Sequence, residues 1–380
     1  PSGHSASDPG WRALAAPAGL SASDGAYAQR IAISWSAVPG ASHYRLYRSE
    51  TPDGPRTAIS AWDVKCWFWD ASGDPVRSYA YFVGAAADAT GARASALAGP
   101  EEGWRLLPGP SGVVASDGGS NVGVSISWRA LAGAAQYRVF RSESDGPREE
   151  IGTWQAGTSY LDTEGVPGRT YQYSVRAAAA DDGWRPGLFS ACDEGWRSLS
   201  APGPLTASDG ADADRTTLSW PAVPGATHYR VYRAEAPDGA KLALAGWETK
   251  RWFWDSSASP GRTYFYFVQA AADAGGLRAS GFSTAESGWR ALAAPAGVAA
   301  TDGAYFGNVT IAWQAVPGAT HYRVLGSDAP DGAGTPLGDW QTARTFRDYF
   351  VLPGHLRFYA VQAAVDVQGT LAGAASTPDS

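Results

Sequence analysis

The 380-residue sequence has no methionine, two cysteines, five histidines and three lysines. Each shortage excludes something. Cys66 and Cys192 stand at unrelated places in a chain that repeats, so they form no disulfide framework. Free thiols are the default reading; pairing with each other or between chains stays open. Two lone cysteines make a poor metal site, and no metal is expected. There is no Gly-x-Ser-x-Gly, no His-Glu-x-x-His and no phosphate loop, so neither catalysis nor a cofactor is expected. The net charge of −7 and the absence of a basic stripe exclude a nucleic-acid partner. No apolar run nears the ~18 residues of a membrane span. Glycine and proline are plentiful, at 46 and 25 residues, yet 44% of the chain is hydrophobic, which is too apolar for disorder.

What is present is periodic. Gly-Trp-Arg stands at Gly10-Trp11-Arg12, Gly103-Trp104-Arg105, Gly195-Trp196-Arg197 and Gly288-Trp289-Arg290, at intervals of 93, 92 and 93 residues. Other landmarks keep step: Trp35, Trp128, Trp220 and Trp313; Tyr44, Tyr137, Tyr229 and Tyr322; Trp62, Trp154, Trp247 and Trp340; Asp70, Asp162, Asp255 and Asp348. One supersecondary module copied four times is the physical reading. The expected modules are 10–102, 103–194, 195–287 and 288–380. Residues 1–9 match the segment before Gly288 and read as the terminal strand of a preceding module, so part of a longer array, or a processed product, is expected. A further Gly183-Trp184-Arg185 falls out of phase and carries little weight by itself.

Inside a module the apolar period is two. In the third, Thr216–Trp220 and Tyr229–Arg233 alternate, Trp252–Asp255 and Tyr264–Val268 are aromatic runs, and Val223-Pro-Gly and Pro260-Gly261 mark turns. Seven short strands without a convincing helix predict an all-β chain: four tandem seven-stranded antiparallel β-sandwiches.

The tryptophan of the second strand, Tyr-x-Val on the third and Pro-Gly-Arg-Thr-Tyr-x-Tyr-x-Val on the sixth resemble fibronectin type III domains, an immunoglobulin-like fold. The likeness is to the tandem versions of bacterial secreted and surface proteins, and it spans essentially the whole chain. It implies an extracellular or cell-surface spacer, adhesion or binding array without chemistry of its own. It also implies a tyrosine corner at Tyr79, Tyr171 and Tyr264. In the fourth repeat Arg357 takes that place, so either the corner is lost or the register shifts, and a less stable module is expected.

The sharpest candidates for function are aromatic. Strand alternation turns Trp67, Trp69, Trp252 and Trp254 outward in the odd repeats, where the even ones have Ser159 and Leu161, Thr345 and Arg347. Phe82 and Phe267 are expected to join them on the sixth strand. Such a surface fits burial by a neighbouring loop or module, self-association into a homopolymer, contact with other surface proteins, or stacking on glycans. The junction residues Trp11, Arg12, Trp104, Arg105, Trp196, Arg197, Trp289 and Arg290 are expected to pack between modules or to cap a sandwich, each arginine meeting an acidic loop or an aromatic face. The turns at Asp24, Asp117, Asp209 and Asp302 offer one carboxylate each, which suits backbone capping better than calcium. His43, His228 and His321 are equivalent and have no recurring catalytic partner. The leading expectation is a structural rod that assembles into a filament or surface layer. The alternative is an adhesin or carbohydrate-binding array.

Overall fold

A computed structural model describes residues 10–144, 146–303 and 306–380. The strand expected at 1–9 lies outside the described residues. The chain divides into two compact units, residues 1–165 with 170–197, and 166–169 with 198–380. The first holds the first and second sequence repeats, the second holds the third and fourth. Every regular element among the described residues is a strand.

The first repeat shows the pattern. Its strands are β1 (Ser21–Ala22), β2 (Ile31–Ser34), β3 (His43–Ser49), β4 (Thr57–Ala58), β5 (Trp67–Asp70), β6 (Tyr79–Ala86) and β7 (Ala98–Gly103). They form two antiparallel sheets, β1-β2-β5 and β4-β3-β6-β7. Alternation puts Ile31 and Ile33 of β2 against Tyr44 and Leu46 of β3 and Tyr79, Tyr81 and Val83 of β6, and these make the core. Trp35 packs on Tyr44 with ring centroids 5.9 Å apart, and the Tyr44 hydroxyl accepts the Val38 amide at 2.7 Å. The same hydroxyl bond recurs at Tyr137, Tyr229 and Tyr322. The second and third repeats have the same two sheets, and the fourth has two three-stranded sheets, with the bridge Tyr359 to Asp379 in place of the last strand. Each repeat has its own core cluster.

Indole-on-glycine seats hold the sandwiches, two in each of the first three repeats and one in the fourth among the described residues. Trp62, Trp154, Trp247 and Trp340 lie on Gly91, Gly183, Gly276 and Gly369, the glycines of the loop after the sixth strand. A Cβ on Gly91 would fall 2.4 Å from the Trp62 ring, and its φ is +80°, so only glycine serves there. The second seat involves the junction tryptophans.

A buried aspartate ties one sheet to the other. Asp70, at the end of β5, accepts the Tyr81 hydroxyl of β6 at 2.9 Å and the Arg48 guanidinium of β3 at 2.8 Å. The Ser72 amide and hydroxyl satisfy its other oxygen. Asp162 repeats this with Tyr173 and Arg141, and Asp255 with Tyr266 and Arg233. Burial acts to raise the Asp70 carboxyl, but the bonds from Ser72, Arg48 and Tyr81 outweigh it and hold it below the usual carboxylate range. Asp162 and Asp255 are lowered by the same competition.

The fourth repeat solves the same problem differently. Gly326 stands where Arg48 stands in β3, and Arg357 reaches from the start of the sixth strand to Asp348 at 3.1 Å. A Cβ on Gly326 would fall 2.8 Å from the Arg357 side chain, so the glycine makes room for the arginine. Tyr359 still opposes Gly326 as Tyr81 opposes Arg48, so the register is kept and the corner tyrosine is what has gone.

Removing a partner from this cluster strands a charge in a dry place, at a cost of about 3–5 kcal/mol. Asp255→Ala should therefore accelerate hydrogen exchange across Tyr264–Ala271 while leaving Tyr171–Ala178 unchanged. The lowered carboxyls also fix the sign of an acid response. Their contribution is whole above the unfolded carboxylate pKa, about 4, and is lost as pH falls through the lower folded values. Tryptophan fluorescence should report loss of stability on acidification below pH 4, and a smaller acid dependence in Asp255→Ala.

Candidate contact site

The outer face of the β1-β2-β5 sheet carries the paired tryptophans. Trp69 lies opposite Ala32 and Trp67 opposite Ser34, so small residues form the floor beneath the indoles. Trp67, Trp69, Trp252 and Trp254 are 45, 52, 43 and 49% exposed. The two rings stand 5.0 Å apart in the first repeat and 4.8 Å in the third. Each pair is bracketed by cations. Arg30 precedes β2 and lies 3.8 Å from the Trp69 centroid, and Lys65 lies 5.2 Å from that of Trp67. In the third repeat Arg215 and Lys250 stand 4.0 and 5.0 Å from Trp254 and Trp252. By the strand register the order along the face is Lys65, Trp67, Trp69, Arg30, so each indole has a cation on one side and its partner on the other. Asp63 and Glu248 pair with the lysines, and Asp212 pairs with Arg215.

Phe82 and Phe267 do not belong to this surface. They are 1% and 4% exposed. Alternation does turn them away from the core, but the start of β7 and a charged side chain lie over that face. A Cβ on Gly99 would lie 3.1 Å from the Phe82 ring, and the Arg56 guanidinium sits 4.0 Å from its centroid. Phe282 and Lys241 cover Phe267. Nor is this face polar in the second repeat. Phe140 takes the aromatic role from the third strand, opposite Ser174, and packs edge-on against Phe189 at 4.9 Å. The alternation of odd and even repeats therefore holds on one sheet and not on the other.

The tripeptides that begin at Gly103, Gly195 and Gly288 end the sandwich before them, each glycine pairing with Tyr79, Tyr171 or Tyr264 of its sixth strand. Gly103 closes β7 opposite Tyr79. Trp104 then bridges to Asp24, and its indole lies on Gly25, where a Cβ would meet the ring at 2.3 Å. Trp196 on Gly118 and Trp289 on Gly210 repeat this, each beside its turn aspartate, Asp117 or Asp209. The arginines meet backbone carbonyls, not acidic loops. Arg105 donates to Gly73 and Ala28, Arg290 to Ala213, Ser256 and Ala258, and Arg197 to Val122. Trp11 is 58% exposed, with Arg93 5.4 Å from its ring.

The out-of-phase Arg185 has a role that the sequence reading missed. In the first unit it reaches back from the second repeat to the Val76 carbonyl at 2.7 Å and to Ser78, and its guanidinium stacks 4.0 Å from Trp104. Trp104 is thus held between Gly25 of the first repeat and Arg185 of the second. In the second unit Arg278 donates to the Gly168 carbonyl at 2.8 Å. Arg93, Arg185, Arg278 and Leu371 share one place and one positive φ, between 48 and 55°. Their spacing of 92 and 93 residues was the overlooked signal.

The equivalent histidines are tied down. His43, His228 and His321 meet the hydroxyls of Ser42, Thr227 and Thr320 through Nδ1 at 2.7–2.8 Å. Each hydroxyl in turn donates to a backbone carbonyl, of Ala87, Ala272 or Val365. The hydroxyl proton is committed, so Nδ1 is left to donate and does not activate that hydroxyl as a nucleophile. Cys66 and Cys192 are both free.

No family model matches the chain. Among solved structures it is similar to a two fibronectin type III domain segment from chicken tenascin, at 20% identity and a TM-score of 0.38, covering 46% of this chain and 95% of that one. It is also similar to the chicken CNTN1 FN1-FN3 domains, at 16% identity and 0.23, covering 72% and 98%. A third likeness is to an Fn3-like protein from Clostridium thermocellum, at 25% identity and 0.23, covering 24% and 94%. These structural neighbours are fibronectin type III domain proteins, two of them tandems.

The Gly118 seat combines a φ of +67° with a Cβ position 2.2 Å from an indole. Gly118→Ala should cost about 2 kcal/mol or more from backbone and overpacking together, read as a fall in urea midpoint. Arg185→Ala should cost about 1.5–3 kcal/mol, as expected for charge-assisted hydrogen bonds, and should speed proteolysis at the turn around Val76.

Proposed function

We propose that this chain is a non-enzymatic structural array of an extracellular or cell-surface protein, whose copies touch through the tryptophan rows of the first and third repeats. The observation that carries this reading is the recurrence of the whole row, Arg30, Lys65, Trp67 and Trp69 against Arg215, Lys250, Trp252 and Trp254. One row falls in each compact unit. A cluster kept for the stability of a sandwich would serve all four repeats; the second and fourth fold without it.

The geometry favours a protein partner over a sugar. Stacking on a sugar ring needs a free aromatic face. Here a cation and the partner indole flank each ring. Both lysines and Arg215 are already paired with Asp63, Glu248 and Asp212, so the contact draws on burial of the half-exposed indoles rather than on net charge. Each half-exposed indole has about 1 kcal/mol of burial left to contribute. A single row is therefore a weak contact, and two rows on one chain make it useful through avidity.

Sedimentation velocity and electron microscopy over a range of protein and salt concentrations test the idea. Association should grow with concentration and fall at least tenfold in Trp69→Ala with Trp254→Ala. Monodisperse monomers under every condition would sink it.

A further inference from the structure

The strand that carries each tryptophan row is also the end strand of its sheet. Among the described strands β5 bonds β2 alone, and Trp252–Asp255 stands in the same way at the end of its own three-stranded sheet. Backbone bonding fixes which groups face outward. Ala32 exchanges bonds with Ser23 on the far side of β2, so Ile31 and Ile33 face β5 and bond Asp70 and Phe68. The N–H and C=O groups of Trp67 and Trp69 therefore point to the open side. Thr217, bonded to Ser208, sets Trp252 and Trp254 in the same way. No bond from a described residue reaches these outward groups.

The even repeats close the same edge with a side chain. Gln155 Nε2 donates to the Ser159 carbonyl at 2.7 Å, and Gln341 Nε2 to the Thr345 carbonyl at 2.8 Å. Ser159 and Thr345 are the counterparts of Trp67 and Trp252 on their strands. Both glutamines sit in a bridge to the third-strand tyrosine, Tyr137 or Tyr322. Asp63 and Glu248 hold that place in the odd repeats, bridged to Tyr44 and Tyr229. A carboxylate has no hydrogen to give a carbonyl. Both acids turn to lysines instead, Asp63 to Lys65 and Glu248 to Lys250. Blocking an exposed edge is how a sheet avoids pairing with a further strand. Here the block is fitted in the repeats that have no tryptophan row and missing from the two that have one.

We infer that the odd repeats of two copies join edge to edge, their fifth strands antiparallel about a two-fold axis, and that Gln155 and Gln341 keep the even repeats out of the pairing. The occupant of the edge is a second copy because the edge is its own complement. With Phe68 opposite Phe68 of the partner subunit, Trp67 falls opposite Trp69 of the partner subunit, and each outward N–H meets an outward C=O. The indoles of both strands then share one outer face, so each row covers the other, apolar on apolar. Trp252 and Trp254 allow the same register around Phe253. The three-stranded sheet continues from one copy into the next, as in strand addition to a sheet edge. The inference rests on the reading that copies touch through the tryptophan rows, and adds how the strands pair and what selects the repeats.

Two double variants of the full chain test it with every tryptophan in place. Asp63→Gln with Glu248→Gln fits the even repeats' block to the odd ones. Asp63→Asn with Glu248→Asn removes the same two charges with an amide one methylene too short to reach the carbonyl. In sedimentation velocity the glutamine variant should associate at least tenfold more weakly than the native chain, and the asparagine variant about as strongly as it. Circular dichroism checks that both are folded. Independently of the variants, hydrogen exchange on chains carrying isotope-labelled tryptophan should show the amides of Trp67, Trp69, Trp252 and Trp254 slowed at least tenfold on association, with those of Trp35 and Trp220 unchanged. Association of the glutamine variant at native strength, equal weakening by asparagine, or row amides that stay unprotected in the associated chain would each overturn the edge pairing. If Trp69→Ala with Trp254→Ala still abolished association in that case, the row contact would stand without it. A native chain that remains monomeric would overturn both.

Discussion

The structure depends on indoles that lie flat on left-handed glycines. Trp62 on Gly91 and Trp104 on Gly25 close the first sandwich at two places, their counterparts do the same in the second and third, and Trp340 on Gly369 closes the fourth. The reason is steric. A two-layer sandwich of short strands has loose loops, and an indole brings a large apolar face only if nothing projects from the backbone beneath it. Glycine alone gives both the missing Cβ and the positive φ of the turn. Because the junction tryptophan follows the last strand directly, closing one sandwich also sets where the next begins. In the first unit Arg185 adds a lid to that indole from the second repeat.

Polar ties between the sheets are as regular as the apolar ones. Asp70, Asp162, Asp255 and Asp348 are each buried and each hold a tyrosine hydroxyl and an arginine. A lone carboxylate there would not be tolerated; with three to five donors it is satisfied. The fourth repeat is informative because it breaks the sequence pattern and keeps the physics. Its arginine comes from a different strand, a glycine clears the space, and the carboxylate is still paired. The lost corner tyrosine is thus one half of an exchange rather than a defect.

The two sheets of a sandwich meet their surroundings differently. The four-stranded sheet has its outer aromatics covered: Gly99 and Arg56 lie against Phe82, and Phe282 and Lys241 against Phe267. On the three-stranded sheet the indoles stay about half exposed, with a cation 3.8 Å from the Trp69 centroid and 4.0 Å from that of Trp254.

The period, the strands and the core were legible in the sequence. Alternation of Ile31 and Ile33, or of Tyr79, Tyr81 and Val83, follows from backbone geometry alone, and a copied module repeats its landmarks whatever their role. The outward turn of Trp67 and Trp69 was readable for the same reason. Three things were not. Alternation says which way Phe82 points but not what crosses over it, because Gly99 and Arg56 come from elsewhere in the chain. The aspartate cluster joins residues on three strands, so Asp70 was visible as a landmark while its partners were not. Trp104 could not be assigned to one side of a junction, since only the folded chain shows that it closes β7 onto Gly25 before Arg185 covers it. The sequence by itself determined the repeating module, because periodicity and turn chemistry are local. Which aromatics are buried, which arginine meets which carboxylate, and where one sandwich ends were decided by tertiary structure, because each depends on segments that become neighbours only on folding.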